Sequence, residues 1–445
     1  MALRAPRGTA DFIDYQALAW NRIRQTAFDF FARYGYQPIE TPTFEQLDVF
    51  VRGIGEATDV VGKEMFLVND KSGLDRIAAG ENLKADEQLA LRPEMTAGVC
   101  RAVVEHNLVP PDATTVKLVY AAPMYRHERP QKGRMREFHQ IGVECLGAAE
   151  PSADAEVIVM LMRFFEGLGI PRSEMRLLIN SMGDDACRPA FRDKVHDYIL
   201  DHRKTMVSLC EECVRRADTN PLRAFDCKNP NCQMLMAEAP RITDELCEDC
   251  KAHYTAVKLL LDCAGLAYEE DPRLVRGLDY YTRTVFEVQV TSGLGSQNAI
   301  GGGGRYDKLI QEFGGRPTPG LGFAVGFERI LMAQEAAGKR KYRARKPKVF
   351  VAAVDESSRI EAFHLAQKMR DEGIPAVLDL QKRSMNSQFR QANKSGMKYV
   401  VIIDDSEHNS ESVNLKNMTT GEQQSVYKDE LIRLLKPKKT NTSDR

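Results

Sequence analysis

Arginines, an aromatic ring, an amide and an acid recur at alternate positions within residues 123–144, PMYRHERPQKGRMREFHQIGVE. This stretch holds five Lys/Arg and two His, although the whole chain is balanced at 62 basic and 63 acidic residues. Strand-like segments at 116–126 and 134–146, joined by a polar loop with Pro130 and Gly133, predict a β-hairpin. On its returning strand, alternation puts Arg134, Arg136, Phe138, Gln140, Gly142 and Glu144 on one face. Met135, His139, Ile141, Val143 and Cys145 fall on the other, mostly apolar face. The first face offers phosphate clamps, a flat stacking surface and a polar floor, in that order. Arginine suits phosphate because its planar fork donates two parallel hydrogen bonds and stays charged. Exposed charge is the ordinary state of such residues, but Glu144 lies within an apolar segment, where an acid needs a partner.

Two other groups of residues have chemical potential. Cys210-x-x-Cys213, Cys227-x4-Cys232 and Cys247-x-x-Cys250 supply six of the ten cysteines within a short span. Two such pairs can make a tetrahedral zinc site, and six thiols exceed one site's need, so spacing leaves open which four would bind. Buried, reduced cysteines are the other reading. The run GGGG at 301–304 is neither a dinucleotide fingerprint nor a phosphate loop, since no Lys-Ser/Thr follows. It reads as a strand whose missing side chains let a ligand lie against the backbone.

The elements that must position these groups are legible in outline. At 445 residues the chain exceeds one ordinary core, and its 43% hydrophobic and 28% charged content is that of a globular protein. No apolar run has signal-peptide or membrane-span length, so a cytoplasmic protein without membrane contact is expected, with its cysteines as thiols. Residues 14–34 predict a helix stopped by Gly35, and YQPIETPTFEQLDVF a strand interrupted by Pro42. A helix is expected over 153–168, and strand-like LVRGLDYYTRTVFEVQV and AIGGGGRYDKLI flank a Gly/Ser turn. GLGFAVGFERILMAQEA reads as a strand running into a helix. The charged run AAGKRKYRARKPK marks a linker. Beyond it, strands alternate with helices near 359–372, 384–395 and 428–435, which predicts a small, mostly parallel sheet.

YRHE followed by GRMREFHQ resembles the second signature motif of class II aminoacyl-tRNA synthetases, and RHERPQKGRMREFHQIGVE is similar to that hairpin in the histidyl-tRNA synthetase family. LRPEMTAG at 91–98, LVRGLDYY at 274–281, GGGGRYD at 301–307 and GLGFAVGFERI at 320–330 are further marks of the family, in order. TPTFE around Pro42 resembles its first motif, which implies a homodimer. The resemblance covers essentially the whole chain. The fold class it implies is α/β: an α+β catalytic domain with an antiparallel sheet of the class II type, a mostly helical insertion, and a C-terminal α/β anticodon-binding domain. The expected boundaries are 1–182 and 273–337 for the catalytic domain and 183–272 for the cysteine-rich insertion. A linker at 338–347, an anticodon-binding domain at 348–437 and a disordered tail at 438–445 complete the chain.

The reaction implied is L-histidine plus ATP, with Mg2+, giving histidyl-adenylate and pyrophosphate, then transfer to the 3′-terminal adenosine of tRNA(His). By resemblance Arg126 holds the α-phosphate, Phe138 stacks on adenine, and Glu128, Arg134 and Arg329 complete the ATP site. Arg276 matches the family's extra catalytic arginine, near the α-phosphate and the substrate carboxylate. Glu94, Thr96 and Gln140 match the ammonium side of the histidine pocket, with Glu144, Tyr280, Tyr281 and Tyr306 around the ring. Met95 and the extra Gly301–Gly302 depart from the usual pattern and bear on pocket volume. The hairpin tip, Arg129 and Gln131, would reach the acceptor stem. Lys382, Arg383 and Arg390, with Lys394, Asn386 and Gln388 around one helix, would face the anticodon. Zinc in the insertion would be structural, since the class II chemistry needs no thiol. A histidine-binding regulatory paralogue would lack the anticodon domain and the catalytic arginines, and a plain RNA-binding protein would not need Glu94, Glu144 and the tyrosines.

Overall fold

The computed structural model describes residues 3–56, 58–110, 115–202, 209–227, 229–275, 278–295, 298–338, 342, 348–404 and 411–436. The chain divides into two compact units, 1–342 and 343–445.

In the first unit, the apolar spacing near the N-terminus forms helix α1, Asp14–Ala32. Its buried residues, Ala19, Ile23, Ala27 and Phe31, recur every four positions and so make one stripe. Gly35, at φ 86°, turns the chain after it. The strand expected through Pro42 is broken into β1 (Gln37–Pro38) and β2 (Phe44–Gln46), and LDVF, read as strand, begins helix α2 (Leu47–Ile54). Pro42 has no N–H for a ladder, and Val49, Phe50 and Ile54 bury one helical face. β3 (Leu67–Val68), α3 (Lys71–Ala78) and β4 (Leu89–Leu91) follow, and a small sheet forms in the order β2-β4-β3. Helix α4 is Thr96–Glu105.

The hairpin appears as β5 (Val116–Tyr125) and β6 (Glu137–Leu146), and α5 (Pro151–Gly167) follows it. β7 (Met175–Ser181) leads into α6 (Arg188–Asp201), α7 (Glu211–Thr219), α8 (Pro230–Ala237) and α9 (Glu248–Cys263). The chain then adds β8 (Glu269–Glu270), β9 (Thr282–Val290), β10 (Ala299–Arg305), α10 (Leu309–Glu312), β11 (Gly320–Gly326) and α11 (Phe327–Ala336). The segment LVRGLDYY is therefore not strand; the ladder begins only at Thr282.

Among the described residues these strands make one sheet, ordered β1-β5-β6-β11-β10-β9-β7-β8. Its pairings are antiparallel except at the two edges, where β1 joins β5 and β8 joins β7 in parallel. Phe31, Phe164, Phe165 and Phe286 bury one sheet face under α1 and α5. The opposite face carries Tyr120, Tyr280, Tyr281 and Tyr306 with Met95 of the α4 turn. Phe191, Val195, Cys213, Cys232 and Met236 form a separate core within the segment expected as an insertion. Its last helix, α9, instead lends Tyr254, Val257 and Leu261 to the main core.

In the second unit, β12 (Val349–Ala353), α12 (Ser358–Asp371), β13 (Ala376–Leu378), α13 (Met385–Lys394) and β14 (Tyr399–Ile403) alternate as the sequence predicts. A hairpin of β15 (Ser412–Asn417) and β16 (Gln423–Tyr427) precedes α14 (Lys428–Leu435). The sheet order is β13-β12-β14-β15-β16, parallel among the first three strands and antiparallel beyond them. This hairpin corrects the expectation of a mostly parallel sheet. Its strands are polar, with Val413, Leu415 and Val426 as their buried apolar residues, so periodicity gave little signal. Of the expected linker 338–347, Gly338 and Tyr342 are described; the tail 438–445 lies outside the described residues.

One buried ion cluster ties β10 to α5. Arg305, 1% exposed, donates to Asp154 at 2.8–3.1 Å and to Asp307 at 3.0 Å. Removing one partner of such a pair leaves an uncompensated charge. Asp154→Ala is expected to destabilise the first unit by about 3–5 kcal/mol in urea unfolding, well beyond a surface Asp→Ala change.

Candidate active site

A cavity of about 520 Å³ opens beside β6, on the sheet face opposite α1 and α5. Alternation on β6 works as predicted: Phe138 and Gln140 line the cavity, and Glu144 is buried further along the strand. His139 turns the other way, bonded to Glu328 at 3.0 Å and packed on Phe12 and Trp20. In the first part of the predicted face Arg134 lines the cavity, from a turn, and Arg136 does not. The ladder starts at Glu137, and Arg134 and Gln131 close a turn by an isolated bridge. Arg136 lies against Gly8, donates to the Glu128 carbonyl at 3.3 Å, and does not line the cavity.

The inner end of the site is built around Glu144. Its carboxyl accepts from Thr96 Oγ1 at 2.7 Å and from the Tyr306 hydroxyl, and Tyr120 also hydrogen-bonds it. Burial pushes its pKa up to about 8, although the bonds from Tyr306 and Thr96 favour the charged form. The carboxyl fits because glycines surround it: a Cβ on Gly322 would collide with Glu144, and one on Gly142 with Tyr120. Glu94 accepts from the backbone of Thr96 and Ala97, both at 2.8 Å, and so caps α4 while lining the cavity. Burial raises its pKa too, against those two backbone bonds. Gln140 presents a buried carbonyl oxygen with no hydrogen-bond partner among the described residues. The Tyr280 ring lies tilted against Tyr281 at 4.6 Å between centres and edge-on to Tyr306 at 5.6 Å, and all three line the cavity. Met95, by contrast, is buried away from the cavity, where its sulfur accepts from Thr41 at 3.5 Å.

The outer end is cationic. Arg126 is fixed by Pro93 O at 2.9 Å and sits 5.4 Å from the centre of the Phe138 ring. Arg329 is held by Gly133 O at 3.2 Å and Ala299 O at 2.8 Å. Burial, and then the like charges of Arg134 and Arg126, pull the Arg329 pKa down, which is the mark of a site arranged for an anion. Arg134 is ion-paired with Glu128 and stands 4.0 Å from Glu64. The two residues expected to share ATP therefore hold each other. Arg276 lies outside the described residues.

Sequence reading missed the wall opposite the sheet. Arg216 and Arg223 line the cavity from the cysteine-rich segment, tied to Asp59 at 3.0 and 3.5 Å. No local motif marks them, since their relevance arises from a contact more than a hundred residues away in sequence. Arg92 was also missed; buried, it donates to Pro123 O, Thr41 O and Pro42 O, so it clamps the TPTFE segment to β5.

Of the expected RNA contacts, Arg129 and Gln131 are exposed at the hairpin tip. In the second unit Lys382 pairs with Glu356 at 2.7 Å, Arg383 is held by Asp379 and Gln391, and Arg390 is exposed. Gln388 is not part of that face: it is buried and bonds the Ala353 backbone in both directions.

The six cysteines separate. Cys210, Cys213, Cys227 and Cys232 have sulfurs within 4.8 Å of one another, and Cys210 and Cys227 are 3.7 Å apart. Thiolates about 2.3 Å from a tetrahedral zinc stand about 3.8 Å apart, so this donor set fits that ion. Cys247 and Cys250 lie elsewhere, with Asp184 and Cys187.

Comparison with known proteins agrees with this geometry. A sequence model described as histidyl-tRNA synthetase matches residues 8–330, and one described as an anticodon binding domain matches 348–438. The chain is 40% identical over 436 residues to a histidine–tRNA ligase of Caldanaerobacter subterraneus subsp. tengcongensis, covering 98% of this chain and 100% of the relative. It is 42% identical to that of Anaeromyxobacter dehalogenans, covering 97% of this chain and 99% of the relative. The crystal structure of the apo S. aureus histidyl-tRNA synthetase superposes with a TM-score of 0.77 at 33% identity, over 98% of this chain and 100% of that one.

The raised Glu144 pKa makes a testable demand. A carboxyl at about 8 when folded, against 4.5 as its ordinary value, binds protons more tightly in the native state. Its contribution to stability is complete below pH 4.5 and is lost as pH rises towards 8. Comparing urea midpoints across that window, wild type should lose a few kcal/mol relative to Glu144→Gln, whose amide does not titrate.

Proposed function

The chain belongs to the histidyl-tRNA synthetase family, and from that premise we propose how its residues divide the reaction. The reaction activates L-histidine with ATP to histidyl-adenylate and pyrophosphate, then esterifies the 3′-terminal adenosine of tRNA(His). One observation carries the assignment: a single cavity has three converging arginines at one end and, at the other, Glu94, Gln140 and tyrosines, with buried Glu144 bonded behind Thr96 and Tyr306 of that wall. That polarity matches a polyphosphate meeting an amino acid.

Catalysis of the first step is positioning and charge neutralisation as a histidine carboxylate oxygen attacks the α-phosphorus and pyrophosphate leaves. Arg126 is the catalytic cation at that junction, already fixed by Pro93 O and Phe138, so little reorganisation is needed. Phe138 carries the adenine against the same guanidinium. Arg134 exchanges Glu128 for phosphate when ATP enters, and Arg329 neutralises the outer phosphates. Mg2+ accompanies ATP, and the carboxylates of Glu128 and Glu287 on the cavity wall are oxygen ligands of the kind it prefers. Arg276 supplies a second catalytic cation, on the strength of its motif alone.

For histidine, the unpartnered Gln140 carbonyl accepts from the α-ammonium, with Glu94 adding negative charge. Glu144 meets one ring nitrogen, and Thr96, Tyr280, Tyr281 and Tyr306 shape the rest. Such a pocket rejects apolar analogues because its polar atoms would be left unpaired. Arg129 and Gln131 at the tip contact the acceptor stem, and Lys382, Arg383 and Arg390 the anticodon loop. Residues 183–272 act as an insertion domain clasping the acceptor arm, with a structural Zn2+ on Cys210, Cys213, Cys227 and Cys232. The working form is a cytoplasmic homodimer, which the first-motif segment and the 52% exposure of its Phe44 favour. No helix among the described residues is long and apolar enough to cross a membrane.

Histidine-dependent ATP–pyrophosphate exchange tests the division of roles. Arg126→Ala and Arg276→Ala are each expected to lower exchange by about 10²-fold or more while histidine binding by calorimetry survives. Gln140→Leu should instead weaken histidine binding and leave ATP binding intact. Normal exchange in both arginine variants would refute the assignment.

A further inference from the structure

We propose that a second structural Zn2+ is held by Asp184, Cys187, Cys247 and Cys250, apart from the four-cysteine set. Sequence spacing offers Cys247-x-x-Cys250 no second cysteine pair once the other four are grouped. The fold supplies the missing donors from the turn after β7. One donor atom from each of the four residues lies within 4.8 Å of all the others.

The distances fit a metal. Asp184 Oδ1 is 3.6 Å from the Cys187 sulfur and 3.7 Å from that of Cys247. Around a tetrahedral zinc with oxygen at about 2.0 Å and sulfur at about 2.3 Å, that edge is about 3.5 Å. The supporting groups are also in place. The Asp184 backbone N–H points at the Cys187 sulfur at 3.4 Å, and Arg283 donates to the other Asp184 oxygen at 3.3 Å. These bonds orient the ligands and offset the negative charge of three thiolates and a carboxylate. Gly183 has φ 61°, and a Cβ there would stand 2.6 Å from the Cys187 sulfur, so the turn is shaped around that thiol.

The location gives the ion a purpose. Cys247 and Cys250 begin α9, which packs on α5 in the main core. Asp184 and Cys187 sit in the turn that pairs with the start of β9, through Met182 N to Arg283 O and Arg283 N to Gly183 O at 2.8 Å. Arg283 is held there at φ 48°, a conformation that persists only where surroundings impose it. Two residues earlier stands Tyr281 of the histidine pocket. The ion therefore ties the start of the cysteine-rich segment and the head of α9 to the first residues of β9, directly after Tyr280 and Tyr281. Binding releases the thiol protons, as for any thiolate zinc site.

The full-length protein, reconstituted with Zn2+ and freed of excess metal, is assayed for zinc per chain by elemental analysis. Cys187→Ser and Cys247→Ser are each expected to hold one zinc ion fewer than wild type, and a Cys210→Ser, Cys187→Ser double variant one fewer again. Wild-type zinc content in both single variants overturns the site. Should those variants fail to fold, alkylation of wild type with and without a chelator decides. Cys187, Cys247 and Cys250 become reactive on chelation if they bind zinc, while buried Cys100 and Cys145 stay protected and exposed Cys263 reacts throughout. Unchanged reactivity of the first three sinks the proposal.

Discussion

The site depends on keeping one acid, Glu144, dry. A carboxyl that is 1% exposed survives only if its oxygens are hydrogen-bonded, and Thr96, Tyr306 and Tyr120 do this from three different elements. Each partner imposes its own condition. Thr96 must begin α4, which Glu94 caps; Tyr306 must follow β10, whose last residue, Arg305, is locked to Asp154 of α5. Gly322 on the adjacent strand and Gly142 on β6 must lack side chains for the group to fit at all. The register that sets Glu144 opposite Gly322 is therefore under chemical as well as packing constraint.

Charge is distributed along the cavity so that the two ends need opposite partners. Burial, and then the like charges of Arg134 and Arg126, depress the Arg329 pKa, and an anion bound there would relieve that repulsion. Carboxylates pair with the other cations of the cavity: Glu128 holds Arg134, and Asp59 holds Arg216 and Arg223. Preformed ion pairs of this kind keep long side chains ordered. The cysteine-rich segment thus contributes both structure and arginines to the chemistry's surroundings.

Much of this was legible in particular residues. Alternation along β6 separated Phe138, Gln140 and Glu144 from His139 and Val143 without any tertiary information. It failed for Arg136, which lies against Gly8, because the hairpin tip is a turn and has no period of two; Arg134 lines the cavity from that turn. The long amphipathic helices were found nearly at their ends, since one buried stripe per helix leaves a clear pattern. The polar β15–β16 hairpin and the helix begun by LDVF were misread, because short elements take their state from what they pack against. Gln388 looked like part of a basic RNA-binding face and is instead a buried clamp on Ala353.

The sequence by itself determined which residue types share a face, where the family's motifs fall, and that thiols gather in one region. These are properties of local geometry and order, which the chain carries with it. Only the tertiary structure decided that four cysteines group together while Cys247 and Cys250 turn to Asp184 and Cys187. It also decided that Arg134 rests on Glu128 and that Arg216 and Arg223 reach the cavity. Those outcomes depend on which distant segments the sheet and its helices bring within a few ångströms, and no spacing along the chain encodes that distance.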